Sequence, residues 1–99
     1  MTARYTRRAQ TDLYALHRHI ASDNPSAAAR VVSRIEEAVQ RLGRHPQMGT
    51  PTDEPGVMRW SLTRFPYIIF YAVLEPDVVV LRIRHTARRP PQAGELSHD

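Results

Sequence analysis

The chain has 99 residues, of which 41% are hydrophobic and 24% charged, with a formal net charge of +4. This length suits a single domain with a modest core, and the positive charge favours an anionic partner, either nucleic acid or an acidic polypeptide. The absence of cysteine excludes disulfides, zinc–thiolate sites and thiol nucleophiles, and no apolar run approaches the roughly 18–20 residues of a membrane span.

The first residues, Met1-Thr-Ala-Arg-Tyr-Thr-Arg-Arg, carry charge but no apolar stretch of the signal-peptide kind, so the expected location is cytoplasmic, with no membrane association. Residues 4–6 read as a short edge strand, and Thr6 is placed to cap a helix. Ala9, Leu13, Leu16 and Ile20 then recur at helical spacing, with Arg8, Asp12 and His19 on the polar side. This predicts a helix over 7–22. Asn24-Pro25 is a strong helix start, because the Asn side chain accepts from free first-turn N–H groups and Pro sacrifices none that matters. Ala28, Val31, Val32, Ile35, Val39 and Leu42 form the second stripe, and Glu37 precedes Arg41 by four residues as a surface pair. Gly43 fits a C-terminal cap and Pro46 a stop. The expectation is an antiparallel helical hairpin, 7–22 and 25–42.

Residues 43–56 hold three prolines and three glycines and read as loop. Met58, Trp60 and Leu62 then alternate with Val57, Arg59 and Ser61 as a half-buried strand. Residues 67–74 are apolar on both faces and form the central strand. Glu75-Pro76-Asp77 is a turn, and residues 78–85 form the last strand. Strict alternation puts Val79, Leu81, Ile83 and His85 on the helix side, with Met58, Trp60, Leu62, Ile69 and Tyr71. It puts Val78, Val80, Arg82 and Arg84 on the other. The fold class is α+β, in the order β-α-α-β-β-β, with the hairpin on one face of a small, mostly antiparallel sheet. Residues 1–89 make one domain and 90–99 a flexible C-terminal tail.

Several residue types carry chemistry. All fourteen cations are arginine. Codon bias in a GC-rich genome explains this, as does the match of arginine forks to carboxylate and phosphate. His17 and His19 stand two apart on a helix and point to different sides, so no shared metal is expected. His85 reads as a packed strand-end histidine, a proton donor or a partner contact. No phosphate loop or serine–histidine–aspartate order stands out, and no cofactor is expected.

The ordered set Thr6…Ala9-x-x-Asp12-Leu13, Asp23-Asn24-Pro25-x-Ala27, Leu42…Pro46-x-x-Gly49, Arg59, Tyr67-x-Ile69-x-Tyr71 and Val80-x-x-Ile83-x-His85-x-x-Arg88 resembles the RelE/ParE superfamily of bacterial type II toxins. It runs over about residues 4–89 and looks closer to the ParE side. The resemblance implies growth arrest by one of two routes. ParE-like toxins poison DNA gyrase; RelE-like toxins cut messenger RNA on the ribosome. Both are held inactive by a cognate antitoxin, here expected to be a ribbon-helix-helix protein of ParD-like type. A third possibility is a degenerate toxin that only binds its antitoxin.

The chemistry separates the first two. Cutting RNA through its own 2′-hydroxyl needs proton-transfer groups beside cations for the phosphorane charge. The RelE-like third strand typically reads Tyr-Arg-x-x-Tyr, whereas this one reads Tyr67-Ile68-Ile69-Phe70-Tyr71. Were the chain a ribonuclease, the site would be Arg59, His85 and Arg88, which is incomplete. The expectation is therefore a gyrase poison that is not itself an enzyme. The resemblance also places Ile68, Phe70 and Ala72 between Arg59, Ser61, Arg82 and Arg84. That makes an exposed apolar floor rimmed by cations, suited to an amphipathic, acidic antitoxin segment. Arg88 and Arg89 are candidates for contact with the target, and direct nucleic-acid binding is only weakly expected.

Overall fold

The computed structural model describes residues 2–87. The chain order is β1 (Thr2–Tyr5), α1 (Arg7–Ala21), α2 (Pro25–Arg44), β2 (Thr50–Pro51), β3 (Met58–Ser61), β4 (Tyr67–Leu74) and β5 (Asp77–His85). The strands form one sheet in the order β1-β5-β4-β3-β2. β1 runs parallel to β5, and the other neighbours are antiparallel. The α+β class and the helical hairpin stand as expected.

Local chemistry sets the helix starts. The Thr6 hydroxyl accepts from the Ala9 N–H at 3.1 Å and donates to the Leu81 carbonyl at 3.2 Å. One buried side chain thus caps α1 and ties it to β5. Asn24 Oδ1 accepts from the Ala27 N–H at 3.1 Å, with Pro25 as the first helical residue. The end of α2 differs from expectation. Gly43 lies inside the helix, fully packed, and the helix runs to Arg44 with His45 as its cap. The expected Glu37–Arg41 pair is replaced by Arg34–Glu37, 3.6 Å apart and exposed.

The main core lies between hairpin and sheet. Leu16, Val31, Ile35, Val39 and Leu42 pack on Leu62, Tyr67, Ile69, Tyr71, Val78, Val80 and Ile83, flanked by Leu13, Ile20, Met58 and Trp60. Val79 and Leu81 are not in it. The reason is an irregularity in β5. Phe70 faces Arg82 and Tyr71 faces Val80, so Leu81 is an extra residue with no partner on β4. Such a bulge reverses the alternation. Upstream of it, Val78 and Val80 face the helices; downstream, Ile83 does. The strict alternation expected for β5 is correct only after the bulge.

Tyr71 secures the long loop. Its hydroxyl accepts from the Gly49 N–H and donates to the Pro46 carbonyl, both at 2.9 Å. A Cβ at Gly49 would overlap that hydroxyl and lie 2.6 Å from the Arg59 carbonyl. Only glycine permits this approach of loop to sheet.

Candidate functional site

The face opposite the helices is organised in cross-strand rows. One row is Ser61, Ile68 and Arg84; the next is Thr50, Arg59, Phe70 and Arg82; a third holds Ala72 and Val79. The structure thus brings Arg59, Ser61 and Arg84 to one face with Ile68, Phe70 and Ala72, the arrangement that the resemblance implies. Arg59 and Ser61 are exposed and Arg84 is half-buried.

Two features differ from expectation. The first is the floor. Phe70 is 6% exposed and Ala72 fully buried, because Val57, Val79 and Leu81 join them in a second apolar cluster. Val57 enters from the loop before β3, and the bulge keeps Leu81 on this side. Only Ile68, packed against the cluster, is half-buried. The face is a small second core rather than an exposed apolar floor.

The second is Arg82, which is not a free rim cation. Its Nε donates to Asp12 Oδ2 at 2.7 Å and its Nη2 to Oδ1 at 3.3 Å. The same Oδ2 accepts the Ile83 backbone N–H at 2.9 Å. β1 pairs only with residues 77–80, so β5 beyond Val80 has no strand on that side. Asp12 fills the gap. Periodicity puts it on the polar side of α1, where in the fold it closes a strand edge and neutralises a buried arginine. Its partner lies 70 residues away, so helical periodicity alone could not reveal it. The recurring Asp12-Leu13 pair in the resemblance was the one available signal.

His85 lies across from Tyr67, on the side of Ile83, in an edge-on ring contact at 5.2 Å. Its Nδ1 accepts from the Ala87 N–H at 3.0 Å. Arg59 projects from the opposite face, beside Phe70. The two described members of the conditional nuclease set are therefore separated by the sheet, and Ile68 supplies no charge between them. Arg88, Arg89 and the tail from Pro90 lie outside the described residues. Among the described residues, no three His, Asp or Glu side chains gather as a metal site, and no helix is long and apolar enough to cross a membrane.

Electrostatics mark two further places. Asp77 binds β1: the Thr2 hydroxyl donates to it at 2.6 Å and Arg4 Nε at 3.2 Å. The Thr2 hydrogen bond first, and Arg4 after it, hold the Asp77 carboxyl below its ordinary value. Burial, helped by the Glu36 charge, pushes the Tyr5 hydroxyl up to about 12. Burial also raises that of Tyr71.

Comparison with known proteins places this architecture. The family model for the ParE toxin of type II toxin–antitoxin systems (parDE) matches residues 3–90. The chain is 38% identical over 89 residues to the putative toxin Y4kP of Sinorhizobium fredii, covering 90% of this chain and 92% of that one. It is 34% identical over 84 residues to toxin RelE2 of Caulobacter vibrioides, covering 85% and 93%. Among solved structures, the chromosomal ParDE toxin–antitoxin system from P. aeruginosa superposes with a TM-score of 0.76 at 31% identity, covering 86% of this chain and 95% of that one. The chain therefore belongs to the ParE toxin family of the RelE/ParE superfamily of type II toxins.

Proposed function

We propose that the protein is a gyrase-directed toxin of ParE type, held inactive by a cognate antitoxin, and that it arrests growth from within the bacterial cytoplasm. The observation that carries this reading is the separation of Arg59 and His85 onto opposite faces of the sheet, with Ile68 where the nuclease arginine would stand. RNA transesterification needs a proton-transfer group and cations around one phosphate. Here the His85 Nδ1 lone pair is engaged by the Ala87 N–H, and Arg82 is committed to Asp12. A toxin that acts by binding needs neither group. The antitoxin part rests on the likeness to the ParDE system from P. aeruginosa. The sheet face with Arg59, Ser61, Ile68 and Arg84 is its proposed contact. Because the floor is closed, charge and the rim of Ile68 carry more of that contact than deep apolar anchors.

A ribosome-dependent ribonuclease is the second reading, favoured by the 34% identity to a toxin named RelE2. Two assays on purified toxin decide between them. The expected result is loss of supercoiling with accumulation of cleaved DNA in the gyrase assay, and no codon-dependent cutting in the ribosome assay. Cuts that vanish in His85→Ala would replace the gyrase reading. Antitoxin binding with inactivity in both assays would mark a degenerate toxin.

A further inference from the structure

The outward side of α1 has a composition that neither the fold nor the proposed toxin action uses. Its inward stripe is Ala9, Leu13, Leu16 and Ile20. Its outward line, at the same four-three-four spacing, is Arg7, Thr11, Tyr14 and Arg18, all exposed. Arg8, His17 and His19 flank it, also exposed. The one carboxylate of α1 is Asp12, and Arg82 neutralises it. The outer side of α1 therefore carries cations and titratable imidazoles with no anion among them. α2 differs, since Glu36 and Glu37 stand among its arginines and Glu37 pairs with Arg34.

Helix stability accounts for only part of this pattern: Arg18 and His19 sit in the last turn, where cations suit the helix dipole. Arg7 and Arg8 sit in the first turn, where cations oppose the helix dipole, and no acidic residue offsets them. Tyr14 is 65% exposed, the most exposed large apolar side chain among the described residues, and the Arg18 guanidinium lies 5.8 Å from its ring centre. Arg7 and Arg18 stand about 16 Å apart along the helix axis. The result is an aromatic platform with arginine forks on either side.

We infer that this line is a docking surface for single-stranded nucleic acid, with Arg7 and Arg18 on phosphates and Tyr14 stacking on a base. Arginine forks suit phosphate oxygens, and aromatic platforms between cations are how proteins hold single strands without reading sequence. An acidic amphipathic polypeptide fits less well. Such a segment docks by burying aliphatic side chains in a groove, and this line offers none beside Tyr14. The inference stands independently of whether gyrase or the ribosome is the target.

The test is fluorescence anisotropy of a labelled oligodeoxythymidine with the purified toxin, from about 50 to 200 mM salt. The expected wild-type result is weak binding, with a dissociation constant of about 10⁻⁴–10⁻⁶ M, that loosens steeply with salt. Arg7→Gln with Arg18→Gln should flatten the logarithmic salt slope by about 1.4, two phosphate contacts' worth. Arg30→Gln with Arg41→Gln, an equal charge change on exposed positions of α2, should leave the slope nearly unchanged. Tyr14→Ala should weaken binding about tenfold at constant slope, and Tyr14→Phe should restore it. Equal loss in the α2 pair would overturn the inference, as would an unchanged slope in the α1 pair. So would displacement of the strand by polyglutamate at matched charge, which would make the surface a peptide site. Circular dichroism of each variant separates loss of contact from loss of fold.

Discussion

Asp12 and Arg82 meet in a two-point contact, Nε to Oδ2 at 2.7 Å, with side chains only 14% and 8% exposed. The pair joins the first helix to the last strand at the place where β1 stops covering β5. Its two halves are not equivalent. Asp12 also accepts the Ile83 N–H, so its loss strands both a buried guanidinium and a backbone donor.

Asp12→Ala should therefore destabilise the fold by about 3–5 kcal/mol, the usual consequence of leaving one member of a buried pair alone. Arg82→Met should cost far less, because Asp12 retains a backbone partner and the methionine joins an apolar neighbourhood. Arg82→Glu should be the worst of the three, placing two carboxylates together. Urea denaturation of the three variants checks the order. Equal losses in Asp12→Ala and Arg82→Met would show that the two halves of the pair are equivalent and that the Ile83 N–H bond adds nothing.

Local signals in the chain were legible where the physics is local. Thr6, Asn24 and Pro25 define helix starts through bonds to residues three positions away, and those bonds are present. The apolar stripes of α1 and α2 and the alternation of β3 place their residues correctly. Failures occur where one residue depends on a distant one. The extra residue Leu81 cannot be seen in the run Val78-Val-Val-Leu, because four successive apolar residues mark no change of side. Its presence moved Val79 and Leu81 to the second cluster and turned an expected exposed floor into a closed one. Arg82 keeps its expected side but is not free, because its partner Asp12 lies 70 residues away in the chain. Gly43 looked like a terminator by residue type, yet the packing of α2 carries the helix past it.

Gly49 and Tyr71 form a second non-local lock. Gly49→Ala should cost on the order of 1–3 kcal/mol, because the new methyl meets a hydroxyl fixed from two directions and a backbone carbonyl. Tyr71→Phe should cost a similar amount, about 1–3 kcal/mol, by leaving the Gly49 N–H and Pro46 carbonyl without their partner. Thermal melts measure both. The double variant Gly49→Ala/Tyr71→Phe should cost less than the sum, since removing the hydroxyl makes room for the methyl. Strict additivity would show that the two residues do not interact.

The alkaline limit of stability should follow the tyrosines. The Tyr5 hydroxyl is pushed up to about 12 from an ordinary 10.0. The folded protein thus keeps a proton that the unfolded chain releases sooner. Its contribution is complete below the unfolded value and disappears as pH rises through the folded one, and Tyr71 acts in the same direction. Stability measured by urea midpoint should accordingly fall between about pH 10 and 12. Tyr5→Phe should make that fall shallower. An identical alkaline profile in the variant would remove Tyr5 as a cause.

At the acid end the relevant group is Asp77, whose carboxyl is held below its ordinary 3.8 by the Thr2 hydroxyl first and by Arg4 after it. The sign is opposite to that of the tyrosines. The carboxylate's contribution is complete above the unfolded value and is lost as pH falls through the depressed folded value. The part of the fold that depends on it is the docking of β1, where Thr2 lies opposite Asp77. Acidification should therefore release the amides of β1 to solvent exchange before those of β4. Asp77→Asn should reproduce the loosening of β1 at neutral pH, because the amide keeps an acceptor for Thr2 but loses the charge that Arg4 meets. Hydrogen exchange read by mass spectrometry on the β1 peptide is the measurement. Simultaneous release of β1 and β4 on acidification would show that β1 is not a separately opening unit, and that its hold on the sheet does not depend on the Asp77 charge.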